Sequence, residues 1–142
     1  MKVEQILDRK GRDVFAVSTT TSIAEAIDML NDRNIGAIVV VDDDSRVVGI
    51  LSERDVVRRI SREREALLAR QVGDVMTADP VTCDTDSSSD ELMAVMTTRR
   101  IRHVPVVGGG RLIGLISIGD IVKCRIEETE QEAAALRDYI AS

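Results

Sequence analysis

"GILSERD" spans Gly49–Asp55, and "GLISIGD" spans Gly114–Asp120. Glycine, serine and aspartate recur at a single offset: 49 to 114, 52 to 117 and 55 to 120 are each 65 positions apart. Both phrases close an apolar run and open a stretch with helical spacing. Serine is a preferred N-cap, and an acid three residues on can reach back to the cap's own amide, so Ser-x-x-Asp reads as a capping box. The same placement leaves helix-terminal N–H groups at the end of a buried strand, where the helix dipole favours an anion such as phosphate. A carboxylate there can accept both hydroxyls of a ribose, and a nearby hydroxyl can donate to a phosphate oxygen. Each phrase is therefore a candidate helix cap, a candidate ribose-phosphate site, or both.

Upstream of the first phrase, Ser22 and Glu25 make another capping box, followed by Ile23, Ala26, Ile27 and Leu30 at helical spacing. "IGAIVVV" (Ile35–Val41) reads as a buried strand, "DDDS" (Asp42–Ser45) as a turn, and "RVVGILS" (Arg46–Ser52) as the returning strand of a hairpin. Ser52 then opens a helix with Val56, Val57 and Ile60 on one face. The second phrase has the same surroundings. "SSSDELMAVMTTRR" puts Leu92, Met93 and Met96 where Ala26, Ile27 and Leu30 stand. "IRHVPVV" (Ile101–Val107), "GGG" (Gly108–Gly110) and "RLIGLIS" (Arg111–Ser117) repeat strand, turn and strand, and Ser117 opens a helix with Ile121 and Val122. Even the lead-ins correspond, "VEQIL" (Val3–Leu7) with "VGDVM" (Val72–Met76).

The chain is thus a tandem repeat of helix, strand, strand and helix. Each unit is too small to close a core alone, so the two are expected to pack sheet against sheet with pseudo-twofold symmetry. Pro105 has no amide to give a ladder, which places its strand at an edge or a bulge. "SREREALLARQ" (Ser61–Gln71) reads as a charged helical connector. The expected organisation is a first repeat with connector over 1–70, a second repeat over 71–126, and a C-terminal helix over 127–142. Along that helix Ile126, Thr129, Ala133, Leu136 and Ile140 step by three and four. The stripe suits either a helix folded back on its own domain or a dimer seam.

Composition narrows the function. Of 142 residues, 44% are hydrophobic, so a core is available, and it must be aliphatic: Phe15 and Tyr139 are the only aromatics and tryptophan is absent. A net charge of −6 argues against general binding to nucleic acid or an anionic membrane, and the missing aromatics argue against a base-stacking platform. No apolar run is long enough to span a bilayer, and "MKVEQILDRKGRD" lacks the apolar segment of a secretory signal, which points to the cytoplasm. Cys83 and Cys124 form no C-x-x-C pair, and with one histidine no metal site is expected. "DDD" (Asp42–Asp44) reads as a solvated turn rather than a cation site, "GGGR" lacks the P-loop pattern, and no nucleophile, base and orienter stand together, so no catalytic residue is expected.

Taken together, "IGAIVVVDDDSRVVGILSERDVV" and "IRHVPVVGGGRLIGLISIGDIV", each led by "TSIAEAIDML" or "SSSDELMAVM", resemble a pair of cystathionine-beta-synthase (CBS) domains, a Bateman module. The resemblance covers almost the whole chain. It implies an α/β (α+β) fold of two β-α-β-β-α repeats packed sheet to sheet, plus the C-terminal helix, with two clefts that bind adenosyl compounds: AMP, ADP, ATP, NAD(H) or S-adenosylmethionine. It also implies roles by position. Asp55 and Asp120 would bind the ribose diols, Ser52 and Ser117 would face the ribose-phosphate, and Ile50 and Leu115 would line the adenine slots. Thr21 and Ser87, just before the first helix of each repeat, would contact the base, and the backbones of Ile38 and Val104 would read its edge. Arg102 and His103 stand where the first repeat has Gly36 and Ala37, which suggests a basic phosphate contact from the second repeat only and two inequivalent sites. The expected function is a regulatory module sensing adenylates and acting in trans on a separate protein, as a homodimer. The alternative is a structural dimerisation module with degenerate clefts.

Overall fold

A computed structural model describes the whole chain, Met1–Ser142. In chain order the elements are α1 (Val3–Lys10), β1 (Ala16–Val17), α2 (Ile23–Asp32), β2 (Ala37–Val41), β3 (Val47–Ser52), α3 (Glu53–Glu63), a 3-10 turn (Arg64–Ala69), α4 (Val72–Val75), β4 (Thr77–Ala78), α5 (Ser89–Arg99), β5 (His103–Gly108), β6 (Arg111–Ser117) and α6 (Ile118–Ala141). The first sheet has the order β1-β2-β3-β4, with β1 parallel to β2 and the other pairs antiparallel. The second is the hairpin β5-β6, to which Cys83 adds a single parallel bridge at Val106. Both hairpins carry a register shift at matched places, Val40/Val41 and Val106/Val107. The fold that the resemblance implies is therefore present, C-terminal helix included.

Pro105 accounts for one of the two strands that the second sheet lacks, the counterpart of β1. Its counterpart, Val39, donates its amide to the Phe15 carbonyl and so extends β1 along β2. Proline has no such donor. The Pro105 carbonyl still accepts from the Cys83 amide (3.0 Å), but the pairing is reduced to a bridge. The turns differ as well. Gly109 and Gly110 both have positive φ (58° and 78°), the backbone that a two-residue hairpin turn requires. In the longer first turn, Asp42 Oδ1 accepts from the amides of Asp44 (2.9 Å) and Arg46 (3.0 Å), so this carboxylate serves the turn.

The apolar residues form two separate cores, and neither follows the order of the chain. Val17, Ile23, Ala26, Leu30, Ile38, Val40, Leu51 and Leu67 pack with Val72 and Val75 of α4. Leu92, Met96, Val104, Val106, Ile116, Ile121 and Cys124 pack with Val3, Ile6 and Leu7 of α1. The repeats therefore exchange their opening helices. Backbone bonds fix the exchange symmetrically: the Val72 amide donates to the Thr21 carbonyl and the Val3 amide to the Ser87 carbonyl, both at 2.8 Å.

This exchange accounts for the glycine in each repeated phrase. A Cβ on Gly114 would stand 2.8 Å from Leu7 Cδ2, and one on Gly49 would stand 2.3 Å from Met76 Sδ and 3.0 Å from the Thr77 carbonyl. Leu7 and Met76 are themselves matched positions of the two lead-ins. The bare backbone at each glycine is the seat of the exchanged segment.

Of the three residues whose spacing sets them on one face of α3, Val56 packs against the first core, while Val57 and Ile60 are 65% and 42% exposed and α3 has no buried residue. Val122, at the place on α6 that matches Val57, is exposed too. The C-terminal segment is also not a separate helix folded back on its domain. It continues α6 without a break through 24 residues, leaving Ile126, Leu136 and Ile140 exposed.

Gly114→Ala is expected to destabilise the fold by about 1–3 kcal/mol through overpacking against the fully buried Leu7. Leu7→Ala alone should cost about 2–5 kcal/mol. The double variant should recover part of the sum, which a double-mutant cycle by denaturant unfolding will read as coupling. Strict additivity would show that Leu7 and Gly114 do not share this contact.

Candidate functional site

Each Ser-x-x-Asp phrase closes as a complete capping box. Ser52 donates from its amide (2.9 Å) and its hydroxyl (3.0 Å) to Asp55 Oδ2, while the Asp55 amide donates back to Ser52 Oγ (3.3 Å). The second repeat copies this: Ser117 donates to Asp120 Oδ2 at 2.8 and 3.0 Å, and the Asp120 amide donates to Ser117 Oγ at 3.2 Å. The first amide of each helix is consumed too. Glu53 donates to the Gly36 carbonyl (3.0 Å) and Ile118 to the Arg102 carbonyl (2.8 Å). These caps leave the second-position amides, of Arg54 and Gly119, for an anion, fewer donors than a bare helix start offers. In both boxes the bonds converge on Oδ2, and Oδ1 is left for a hydroxyl donor. The repeated phrase is thus a helix cap in both repeats, with one oxygen of each aspartate committed to the cap and the other without a hydrogen-bond partner in the chain.

The two boxes differ in one neighbour. Lys10, the last residue of α1, donates to Asp120 Oδ2 (2.6 Å) and to the Leu115 carbonyl (2.7 Å). The pair is partly covered, with side chains 34% and 20% exposed. Burial pushes the Asp120 carboxyl upward, but the bonds from Lys10 and Ser117 outweigh it and hold its pKa below the ordinary value. Asp55 has no cation in this position. Lys10 was not among the residues expected at the site, because only the helix exchange brings it 110 positions along the chain to Asp120. The lead-ins match only as far as Leu7 and Met76; beyond them α1 stays helical through Lys10 while the second copy leaves its helix for β4, so Lys10 has no counterpart in the other repeat.

His103 pairs with Ser117 across the β5-β6 ladder and lies against Gly36 of the first repeat, where a Cβ would meet His103 Cε1 at 3.3 Å. Gly36 thus makes room for the histidine at the seam between the repeats. Burial pushes the His103 pKa down, opposed by the charges of Asp120 and Glu53 and reinforced by those of Lys10 and Arg102. Burial thus favours the neutral imidazole. Arg102 caps α6 with its backbone and leaves its side chain exposed.

Ile38 and Val104 are buried with their side chains in the two cores, so a ligand on the opposite face meets their backbone. Ile50 and Leu115 belong to neither core and are half-buried. Thr21 and Ser87 bond away from the boxes. Their carbonyls receive α4 and α1, and their hydroxyls join local turns with Ser18 (3.3 Å) and Asp84 (3.4 Å).

Comparison with known proteins agrees with this architecture. The CBS domain family matches residues 3–62 and 72–127. A CBS-domain containing protein from Agrobacterium tumefaciens, ATU1752, is 48% identical, superposes with a TM-score of 0.84, and aligns over 88% of this chain and 99% of its own. CBS domain protein PAE2072 from Pyrobaculum aerophilum, complexed with AMP, is 26% identical with a TM-score of 0.76 over 84% and 89% of the two chains. The CBS domain pair of protein MJ0100, in complex with 5-methylthioadenosine and S-adenosyl-L-methionine, is 25% identical with a TM-score of 0.78 over 87% and 98%. Among curated relatives, the mitochondrial CBS domain-containing protein CBSX3 of Arabidopsis thaliana is 33% identical over 127 residues; these are 87% of this chain and 62% of that protein. A 33.4 kDa protein of Thermofilum pendens is 39% identical over 106 residues, and the chain spans 34% of its length. Two family matches on two exchanged, glycine-seated repeats establish that this chain belongs to the CBS domain family, as a tandem pair.

Proposed function

We propose that the protein is a regulatory module that binds an adenosyl ligand and acts in trans on another protein, without chemistry of its own. The observation that carries this reading is the pair of matched boxes, each with one aspartate oxygen committed to the cap and one left for a ribose hydroxyl. Support comes from the related CBS proteins crystallised with AMP and with 5-methylthioadenosine and S-adenosyl-L-methionine. In this reading Thr21, Ile38, Ile50, Ser52 and Asp55 make the first site, and Ser87, Arg102, His103, Val104, Leu115, Ser117 and Asp120 the second. The base lies between aliphatic side chains, because the chain has almost no aromatic ones. No helix is long and apolar enough to cross a membrane, and the proposed setting is the cytoplasm.

One observation favours a second, structural role. Val57, Ile60, Val122 and Ile126 leave apolar area on the outer sides of α3 and α6, and Leu136, Tyr139 and Ile140 are 60–79% exposed on the overhang of α6. Scattered exposed apolar residues are ordinary, but a run along one element marks an interface. We propose that a second copy of the chain covers it. Deleting residues 132–142 spares Glu127, which pairs with Arg9, and Glu128, which pairs with the Met1 amine. That truncation should weaken a homodimer in sedimentation equilibrium. A full-length monomer at micromolar concentration would refute the assembly.

Asp120→Asn tests the ligand reading. Most of the cap should survive, with stability changing by about 1 kcal/mol or less. Affinity at the second site should fall about ten- to a hundredfold, since a hydrogen bond to a charged group contributes about 1.5–3 kcal/mol. Calorimetric titration with AMP, alongside a thermal melt, separates the two effects; a lower melting temperature with unchanged affinity would make the box a cap alone. Arg102→Ala should weaken AMP by about tenfold or more and leave adenosine nearly unchanged, because the lost contact is to phosphate. Equal losses for both ligands would mean that Arg102 shapes the cleft instead.

A further inference from the structure

Helix α6 has two faces with different surroundings. Ile121 and Cys124 are buried in the second core, and Glu127 and Glu128 on the same side hold Arg9 and the Met1 amine. The other face is free. Val122, Ile126, Leu136 and Ile140 are 47–74% exposed along it. With Thr129 and Ala133 they step by four and three in turn, a stripe about 27 Å long. That spacing is the seam of a coiled coil, narrower than the apolar stripe of a helix packed on a globular body. In heptads, Ile126, Ala133 and Ile140 take the a positions and Val122, Thr129 and Leu136 the d positions. Isoleucine at a with leucine at d favours two parallel strands. The Thr129 hydroxyl donates to the Arg125 carbonyl of its own helix (2.9 Å), so it brings no unsatisfied donor to the seam.

The flanking charges set the orientation. Arg125 and Glu132 occupy g positions, and Glu130 and Arg137 occupy e positions. In a parallel pair in register, each g residue faces the e residue five positions on in the partner helix. Arg125 then faces the partner's Glu130, and Glu132 faces the partner's Arg137, both opposite in sign and each formed twice. Turned end for end, with Ile126 against the partner's Leu136, Glu130 would face Glu130 and Glu132 would face Glu132, which repel. Glu130, Glu132 and Arg137 join none of the ion pairs within the chain, and Arg125 joins only an exposed one with Asp90. Resting on the homodimer reading above, we propose that the second copy pairs through α6 itself, parallel and in register, as a two-stranded coiled coil from Val122 to Ile140. This pairing sets the two Ser117–Asp120 boxes at the same end of the coil, so the second clefts of the two copies are neighbours.

Sedimentation equilibrium of the full chain tests the pairing. Glu132→Lys should raise the dimer's dissociation constant by about tenfold or more, since each dimer loses two attractive pairs and gains two repulsive ones. Arg137→Glu should do the same. Glu132→Lys combined with Arg137→Glu restores opposite signs across the seam and should return close to the unaltered value. The differences should shrink in about 1 M salt, where exposed charges are screened. Ala133→Cys should give a disulfide-linked dimer on mild oxidation, because a parallel pair in register sets position 133 against itself. The unaltered chain, with half-buried Cys83 and buried Cys124, should not. A dimer that is indifferent to both single reversals, or that the double variant fails to restore, or that leaves Ala133→Cys unlinked, overturns this pairing while the homodimer reading stands. A full-length monomer at micromolar concentration overturns both.

Discussion

Leu7 lies on the bare backbone of Gly114, and Met76 lies on that of Gly49. Neither repeat can fill its core from its own segment: the first needs Val72 and Val75, the second needs Val3, Ile6 and Leu7. Exchange turns two units that are too small to stand alone into one object in which each completes the other. It also decides which residues meet at the boxes. Because α1 crosses to the second repeat, its last residue reaches Asp120; without the crossing, Lys10 would lie far from it.

Much of this was legible in the sequence, and the limit of legibility has a physical cause. The hairpins, the caps at Ser22, Ser52 and Ser117, and the duplication itself follow from local rules: β-branched runs, turn residues and capping patterns act over a few positions. Spacing puts Val56, Val57 and Ile60 on one face of α3 but does not say what lies opposite it, so which of them pack inward is decided by the fold. The exchange of helices escaped for a related reason. "VEQIL" and "VGDVM" look alike, so each suits either core, and the assignment depends on chain path. Lys10 was missed as its direct consequence. The duplicated glycine was visible as a pattern, but its reason, the approach of Leu7 and Met76, is a long-range contact.

Duplication sets a common frame, and small departures from it carry the individuality of the two halves. Pro105 in place of Val39 removes one amide and reduces a strand to a bridge. His103 in place of Ala37 fills space that Gly36 vacates across the seam. Lys10 stands on the last turn of α1, where the second lead-in has already left its helix for β4. The first two are single substitutions at matched places, and together with the third they make the halves chemically distinct while their caps keep the same bonds.

The unbroken course of α6 has a mechanical consequence. Its 24 residues rise about 36 Å at the usual pitch. Its root is the Ser117–Asp120 box, and its far half runs beyond the body of the repeat. Its near half is tied to the rest of the chain by the Met1–Glu128, Arg9–Glu127 and Arg125–Asp90 pairs, so the free arm is the stretch beyond Glu128, about 20 Å long. A tilt of about 5° of that arm would carry its tip, with Leu136 and Ile140, by about 2 Å.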